Sequence, residues 1–330
     1  MNILITGAAG FIGSNFARYM VNKYPEHKFI IFDKLTYAGN LENLKNLEGK
    51  SNYYFVKGDV CDLNFLTHLL KGIDVVFHLA AESHVDNSIG NSIEFTKTNT
   101  YGTHVLLEAA HLNKVKKFIH VSTDEVYGDI IDGQFKESDK LSPNNPYSAS
   151  KAAAEMIVWG YYRTYNLPVI VIRGNNVYGY NQYPEKIVSK FICHLLMDKK
   201  IPVHGEGKNI RTYIFTDDVC RALDTIFNKG SIGETYNIGT HDEISNIDLA
   251  KLLLKKMNKD ESYIQHIPDR PFNDIRYSLD LTKIKGLGWN QEVSFEEGIT
   301  KTIEWYSRNP SWWLKLIERN SNPNYAKQAS

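Results

Sequence analysis

One stretch constrains this chain more than any other: ITGAAGFIG, close to its start. It sets Gly7, Gly10 and Gly13 three residues apart, directly after a short apolar run at residues 3–5 and directly before helical apolar spacing at residues 11–21. Small residues at such a junction let the backbone turn sharply and let a phosphate approach the open amides of a helix N-terminus. A glycine cluster alone is weak evidence, and a merely tight turn is the bland reading. A strand before it and a helix after it give it weight.

The rest of the first half keeps the same rhythm. Apolar runs at residues 29–32, 53–56, 75–79, 118–121 and 169–172 alternate with helical spacing at 63–70, 95–111 and 147–165. This order predicts an α/β fold, a Rossmann-type doubly wound parallel sheet covered on both faces. After Arg173 the rhythm loosens into polar, Gly- and Pro-containing segments around short helices at 187–196 and 247–256. The predicted division is a dinucleotide-binding domain over residues 1–173, with later segments such as 212–228 returning to it. A smaller C-terminal α/β substrate lobe takes most of residues 174–330 and ends in a frayed tail.

Lys+Arg and Asp+Glu both total 38, so bulk charge gives no reason to expect a nucleic-acid partner. Cys61, Cys193 and Cys220 fall in no paired spacing and read as reduced, buried thiols. No His, Cys or acidic cluster suggests a metal. No charged segment leads into an apolar one at the start, and no apolar run approaches the ~20 residues of a membrane span. The expected setting is cytoplasmic, without a membrane partner.

Ligands of such sheets collect at the carboxyl ends of the strands. Asp33 ends the second strand, where an acid would bind a ribose 2′-hydroxyl and repel a 2′-phosphate, which favours NAD over NADP. Asp59, Ala81, residues 122–125 and residues 173–176 fall along the same rim. The segment YSASK spaces Tyr147 and Lys151 at i, i+4, on one helix face. An ammonium beside the phenol is expected to lower its pKa. Such a phenol can accept a proton from a sugar hydroxyl while hydride leaves the same carbon. The bland reading is a surface helix pair.

VSTDEVYGD sets Asp124 and Glu125 side by side at the mouth of the sheet. Buried carboxylates are costly unless something holds them. Two with separated pKa values can act on one substrate as acid and base, Glu125 taking a proton and Asp124 giving one, with Thr123 placed to bond an oxygen beside them. The bland reading is a pair of helix-start acids satisfying backbone amides.

GxxGxxG followed by YxxxK resembles the extended short-chain dehydrogenase/reductases. DKLTYAGN, LAAESHVDNSI, STDEVYGD, PYSASKA, PEKIVSKFI, RTYIFTDD and DRPFNDIRY, in this order over nearly the whole chain, are similar to the dTDP-glucose 4,6-dehydratases, a group that includes enzymes of dTDP-rhamnose biosynthesis. The resemblance implies a homodimeric, NAD-dependent hydro-lyase that converts dTDP-glucose into its 4-keto-6-deoxy product, a deoxysugar precursor. Tyr147 would be the C4 base and Lys151 its orienting partner. Besides the glycines, Asp33, Asp59, Ala80 and Ala81, it implies cofactor contacts at Phe11, Ile12, Lys34, Leu35, Thr36, Val60, Leu79, Ser83, Thr98 and Val177. Ser83, His84, Asn176, Lys186, Arg211, Asn246, Asp274 and Tyr277 fall on nucleotide-sugar positions, and Arg211 and Arg276 offer forks for a pyrophosphate.

The chain departs from the dehydratase pattern at Gly174, Val177 and Tyr180, and again at Phe272 and Asn273. These loops touch the nucleotide half. A UDP- or CDP-sugar 4,6-dehydratase therefore stays open, as does a nucleotide-sugar 4-epimerase; the rival outside enzymes is a silent NAD-binding scaffold. Leu106, Leu107, Ile157 and Trp159 are candidates for a helix face shared with a second copy. Trp312 and Trp313 read equally as a tail anchor to the second lobe, as core or as dimer rim.

Overall fold

The structure, a computed structural model, describes residues 1–269 and 274–321. Phe272, Asn273 and the tail beyond Ser321 lie outside the described residues. The strands in chain order are β1 (Asn2–Thr6), β2 (Lys28–Asp33), β3 (Tyr53–Lys57), β4 (Val75–His78), β5 (Lys117–Thr123), β6 (Val169–Gly174), β7 (Asn176–Tyr178), β8 (Ile201–His204), β9 (Ile210–Phe215), β10 (Glu234–Ile238), β11 (Glu243–Ser245) and β12 (Ile264–Ile267). Seven of them form one sheet in the order β10-β6-β5-β4-β1-β2-β3, and every pairing is parallel. The order reverses between β1 and β4, the switch point where such sheets open a crevice. β4 is buried along its whole length, as a strand covered on both faces must be.

The sequence reading missed β10. Its five residues, ETYNI, mix polar and apolar types inside a polar stretch and give no period. They are held by pairing with β6. The remaining strands make two small sheets, β11-β9-β7 and β12-β8. Residues 210–215 stay with the small sheet, while the helix Thr216–Lys229 packs on the helix Phe11–Lys23, joined by an ion pair of Lys23 with Asp224 at 2.5 Å.

The helix expected over residues 95–111 is interrupted. A π-helical turn, Thr96–Tyr101, separates Ser92–Phe95 from Gly102–Leu112. Asn99 is the reason visible in the contacts: its amide turns inward to bond both the N–H and the C=O of Glu82 at 2.8 and 2.9 Å. Leu106 and Leu107, expected on an outer face, are wholly buried in the protein's own core, with Ile157 and Trp159 packed against it. Trp312 and Trp313 are core residues of the second lobe; the Trp312 indole N–H donates to Asn43 Oδ1 at 2.9 Å.

The helix Pro146–Tyr165 is fixed at both ends. Asn145 and Ser148 form a capping box, Pro146 sits in the first turn, and Asn166 closes the helix in the left-handed conformation. Midway, Glu155 meets Arg173 of β6 in a buried ion pair at 2.6 Å, and Arg173 also donates to the Tyr127 hydroxyl at 2.7 Å. Removing one partner of a buried pair leaves an uncompensated charge. Glu155→Ala is therefore expected to lower unfolding free energy by about 3–5 kcal/mol, measured by urea denaturation.

Candidate active site

The glycine turn forms a cradle with no room for side chains. A Cβ on Gly13 would lie 2.2 Å from the Gly7 carbonyl oxygen, and one on Gly7 would lie 2.7 Å from Ala80 Cα. The helix behind the turn starts at Gly10 with no side-chain cap, so its first amides remain available to an anion. Asp33 accepts from the Ala9 N–H at 2.9 Å and the Leu35 N–H at 2.7 Å, and burial raises its pKa. A carboxylate has about four acceptor sites, so acceptor capacity remains for a ribose hydroxyl.

A cleft of about 320 Å³ runs from this cradle across the strand ends. Gly7, Gly10, Phe11, Ile12, Gly13, Asp33, Lys34, Thr36, Asp59, Val60, Leu79, Ala80, Ala81, Ser83, Thr98, Tyr147, Lys151 and Val177 all line it. Leu35 does not. It adopts a positive φ of 61° and turns its side chain into the core, so only its backbone N–H serves the site, through Asp33.

Thr123, Asp124 and Glu125 line the same cleft. Thr123 ends β5 and caps a 3₁₀ turn that carries both acids. Asp124 is only 2% exposed. Burial pushes its pKa up to about 7; the Asn175 amide, at 2.8 Å, opposes that rise and the neighbouring Glu125 adds to it. Burial also raises Glu125, which accepts from the Asn145 amide at 3.2 Å. The pair therefore does more than satisfy a helix start: Asp124 is buried and Glu125 partly so, and both are held by amides and shifted toward the protonated form.

Tyr147 and Lys151 share the helix face as expected, but their coupling differs. The Lys151 ammonium donates to the Val121 carbonyl at 2.8 Å, and burial lowers its pKa to about 8. The Tyr147 phenol is pushed up, first by burial and then by the negative charge of Glu125; a hydrogen bond from Thr123 works against this. In this structure the lysine does not lower the phenol, because the acid pair faces the phenol and a carbonyl holds the lysine.

A second cleft of about 150 Å³ adjoins the first and is lined by His84, Asn176, Lys186, Arg211, Asn246, Asp274 and Tyr277. Arg211 stacks over the Tyr277 ring at 4.9 Å, and the Tyr277 hydroxyl donates to Asp274. Lys186 reaches across to the Ser83 carbonyl at 2.6 Å. Arg276, expected as a pyrophosphate fork, lines neither cleft. Its guanidinium is paired with Glu243, at 2.8 and 2.5 Å, and bonded to the Ile131 and Gly133 carbonyls, which makes it a clamp between loops.

Sequence reasoning missed Asn145 and Glu185, and placed Asn175 on the rim without giving it a role. Asn145 was within reach, since Asn before Pro with Ser three residues on is a helix-start signature. Asn175 gave no signal beyond a doubled Asn. Glu185 lines both clefts, accepts from the Tyr37 hydroxyl at 3.0 Å, and is pushed up to about 7 by burial.

A glycine-rich turn facing a Tyr–Lys helix across a parallel sheet defines an extended short-chain dehydrogenase/reductase. The family model described as GDP-mannose 4,6 dehydratase matches residues 4–302. Human dTDP-D-glucose 4,6-dehydratase is 46% identical over 329 residues, covering 97% of this chain and 94% of its own. A trifunctional UDP-glucose 4,6-dehydratase/UDP-4-keto-6-deoxy-D-glucose 3,5-epimerase/UDP-4-keto-L-rhamnose-reductase of Arabidopsis thaliana is 50% identical over 94% of this chain, which spans about half, 48%, of that longer relative. Among solved structures, the dTDP-glucose 4,6-dehydratase DesIV of Streptomyces venezuelae, with NAD and TYD bound, superposes with a TM-score of 0.94 at 43% identity, covering 96% of this chain and 100% of its own. A UDP-glucose 4-epimerase of Thermotoga maritima, with UDP-glucose, superposes at 0.87 with 34% identity, covering 94% and 100%. The chain belongs to the dTDP-glucose 4,6-dehydratase family.

Proposed function

We propose that this protein is an NAD-dependent hydro-lyase that converts dTDP-glucose to dTDP-4-keto-6-deoxy-glucose. The observation that carries the reading is the Asp124–Glu125 pair, Asp124 buried and Glu125 partly so, held by Asn175 and Asn145 in the cleft that also holds Tyr147. A 4-epimerase needs the phenol and the dinucleotide but no such pair. A silent scaffold needs none of these groups.

The cradle fits NAD: its glycines exclude side chains, its helix start is open, and Asp33 disfavours a 2′-phosphate. When bound, NAD would supply a reversible hydride carrier, an acceptor from C4 and a donor to C6, and a ring charge that favours the phenolate. Tyr147 takes the C4 hydroxyl proton, with Thr123 bonding the same oxygen. Glu125 removes the C5 proton, made acidic by the C4 ketone, Asp124 protonates the C6 hydroxyl as it leaves as water, and Glu125 gives a proton back to C5 as C6 is reduced. Arg211, Lys186 and the Tyr277–Asp274 pair hold the nucleotide half; binding energy there positions the hexose.

UDP-glucose is the second reading for the substrate, favoured by the Arabidopsis relative, a UDP-glucose 4,6-dehydratase in one of its three activities. One methyl on the base is worth only about 1–3 kcal/mol in an apolar pocket. Incubating the purified protein with dTDP-, UDP- and CDP-glucose, without added NAD, tests both: loss of one water from dTDP-glucose fastest supports the proposal, and no loss from any of the three overturns it.

A cytoplasmic homodimer completes the reading. Its three thiols are free, and no described helix is long and apolar enough to cross a membrane. Ile93, Tyr101 and Met156 expose apolar surface on adjoining helices, where a second copy would fit.

The pH dependence follows from Asp124, which faces Glu125 on its own turn, Arg211 from β9 and Tyr147 from the helix Pro146–Tyr165. As an acid it must be protonated, so kcat/KM falls as pH rises through about 7. For stability the sign is the same. A carboxyl raised from 3.8 to about 7 contributes fully below 3.8, and that contribution is lost as pH rises through 7. Asp124→Asn is expected to gain several degrees in Tm over the parent at about pH 8.5 and much less at about pH 5, measured by calorimetry.

A further inference from the structure

Resting on the dehydratase reading, we propose that Asn175 is a positioning residue that fixes which oxygen of Asp124 carries the acid proton. The argument begins at Thr240. Its backbone N–H donates to the Asn175 side chain at 3.2 Å, and an N–H can be received only by the amide oxygen. That sets the orientation of the amide and aims its NH₂ at Asp124 Oδ2, 2.8 Å away. The amide oxygen packs against the backbone of Gly239, in the space a side chain there would take: a Cβ would lie 1.8 Å from it. The backbone is held too, by the Asn175 N–H donating to the Ile238 carbonyl at 3.0 Å.

An oxygen that receives an amide N–H is a poor site for a proton. Oδ1 accepts from the Thr123 hydroxyl at 3.2 Å, a donor that can rotate away where the amide held by Thr240 cannot, so the Asp124 proton sits on Oδ1. Thr123 lines the cleft beside Tyr147. When Oδ1 is protonated it becomes a donor on that side, and the Thr123 hydroxyl is left to bond the sugar oxygen. The register explains the placement: Thr123 pairs with Gly174, so the residue after β6 lies beside the residue after β5.

The test compares two substitutions with the parent. Asn175→Asp keeps the shape and the acceptor for Thr240, but puts a second carboxyl oxygen against Oδ2, so the proton moves between the two groups and away from Oδ1. Water loss from dTDP-glucose is expected to fall about 100-fold with KM unchanged. Solvent deuterium should still enter C5 of recovered dTDP-glucose, since Tyr147 and Glu125 are untouched. Asn175→Ala removes the donor that favours the Asp124 anion, so the alkaline limb of kcat/KM moves to higher pH while the plateau falls. Parent-like rates and pH limb in both folded variants overturn the proposal. So does a loss of C5 exchange in step with water loss, or a KM rise with an unmoved limb, the marks of a merely structural role. If Asn175→Ala does not fold, the isosteric variant decides alone. A parent that eliminates no water refutes the dehydratase reading instead, so the two failures are separable.

Discussion

Tyr147→Phe is expected to reduce dTDP-glucose turnover by about 10²–10⁴-fold while leaving dTDP affinity and folding unchanged. The phenol is 9% exposed and lines the dinucleotide cleft, and its ring packs edge-on against Phe95 at 6.3 Å, a contact that phenylalanine keeps. In the proposed mechanism the lost oxygen accepts the first proton, so every later step stops with it. Solvent deuterium should no longer enter C5 of the recovered sugar, because no C4 ketone forms to acidify that position. Mass spectrometry after incubation in heavy water reads both quantities. A variant that still exchanges C5 at the parental rate would show that Glu125 acts without the phenol.

Glu125→Gln should produce a loss of similar size, about 10²–10⁴-fold, by a different route. Asn145 fixes the geometry: its amide oxygen caps Ser148 N–H at 2.9 Å, so its NH₂ points at Glu125 Oε2. A glutamine can satisfy that amide through its own oxygen, so the fold is retained and only the base is lost. C4 oxidation remains possible, whereas C5 exchange and water loss both stop. Transfer of hydride from the sugar, followed as reduced-nicotinamide absorbance in a single turnover, separates this variant from Tyr147→Phe, which should show none. Parental water loss in Glu125→Gln would assign the C5 base to another group.

The cofactor half of the site was legible because its chemistry is local. Gly7, Gly10 and Gly13 act through backbone approach within one strand–turn–helix, and Tyr147 and Lys151 through one helix face; spacing encodes both. The electrostatics were not legible. That Lys151 bonds the Val121 carbonyl, and that Tyr147 faces the acid pair, depends on how β5 and the helix Pro146–Tyr165 meet, which no window of sequence contains. Arg276 misled for the same reason: its partner Glu243 lies 33 residues away, on β11. Asn175 acts through the parallel register of β5 and β6, and β10 exists as a strand through its pairing with β6. The break at Thr96–Tyr101 likewise comes from a tertiary bond, Asn99 to Glu82, overriding a helical period.

The central claim is that Tyr147 starts a reaction whose hydride returns to a different carbon, with the acid pair removing water between the two transfers. dTDP-glucose deuterated at C4 tests it in one incubation in ordinary water. The account predicts a product lighter by one water, with the deuterium at C6. Deuterium retained at C4 of an isomerised hexose of unchanged composition would contradict it, leaving Asp124 and Glu125 as structural acids in an epimerase.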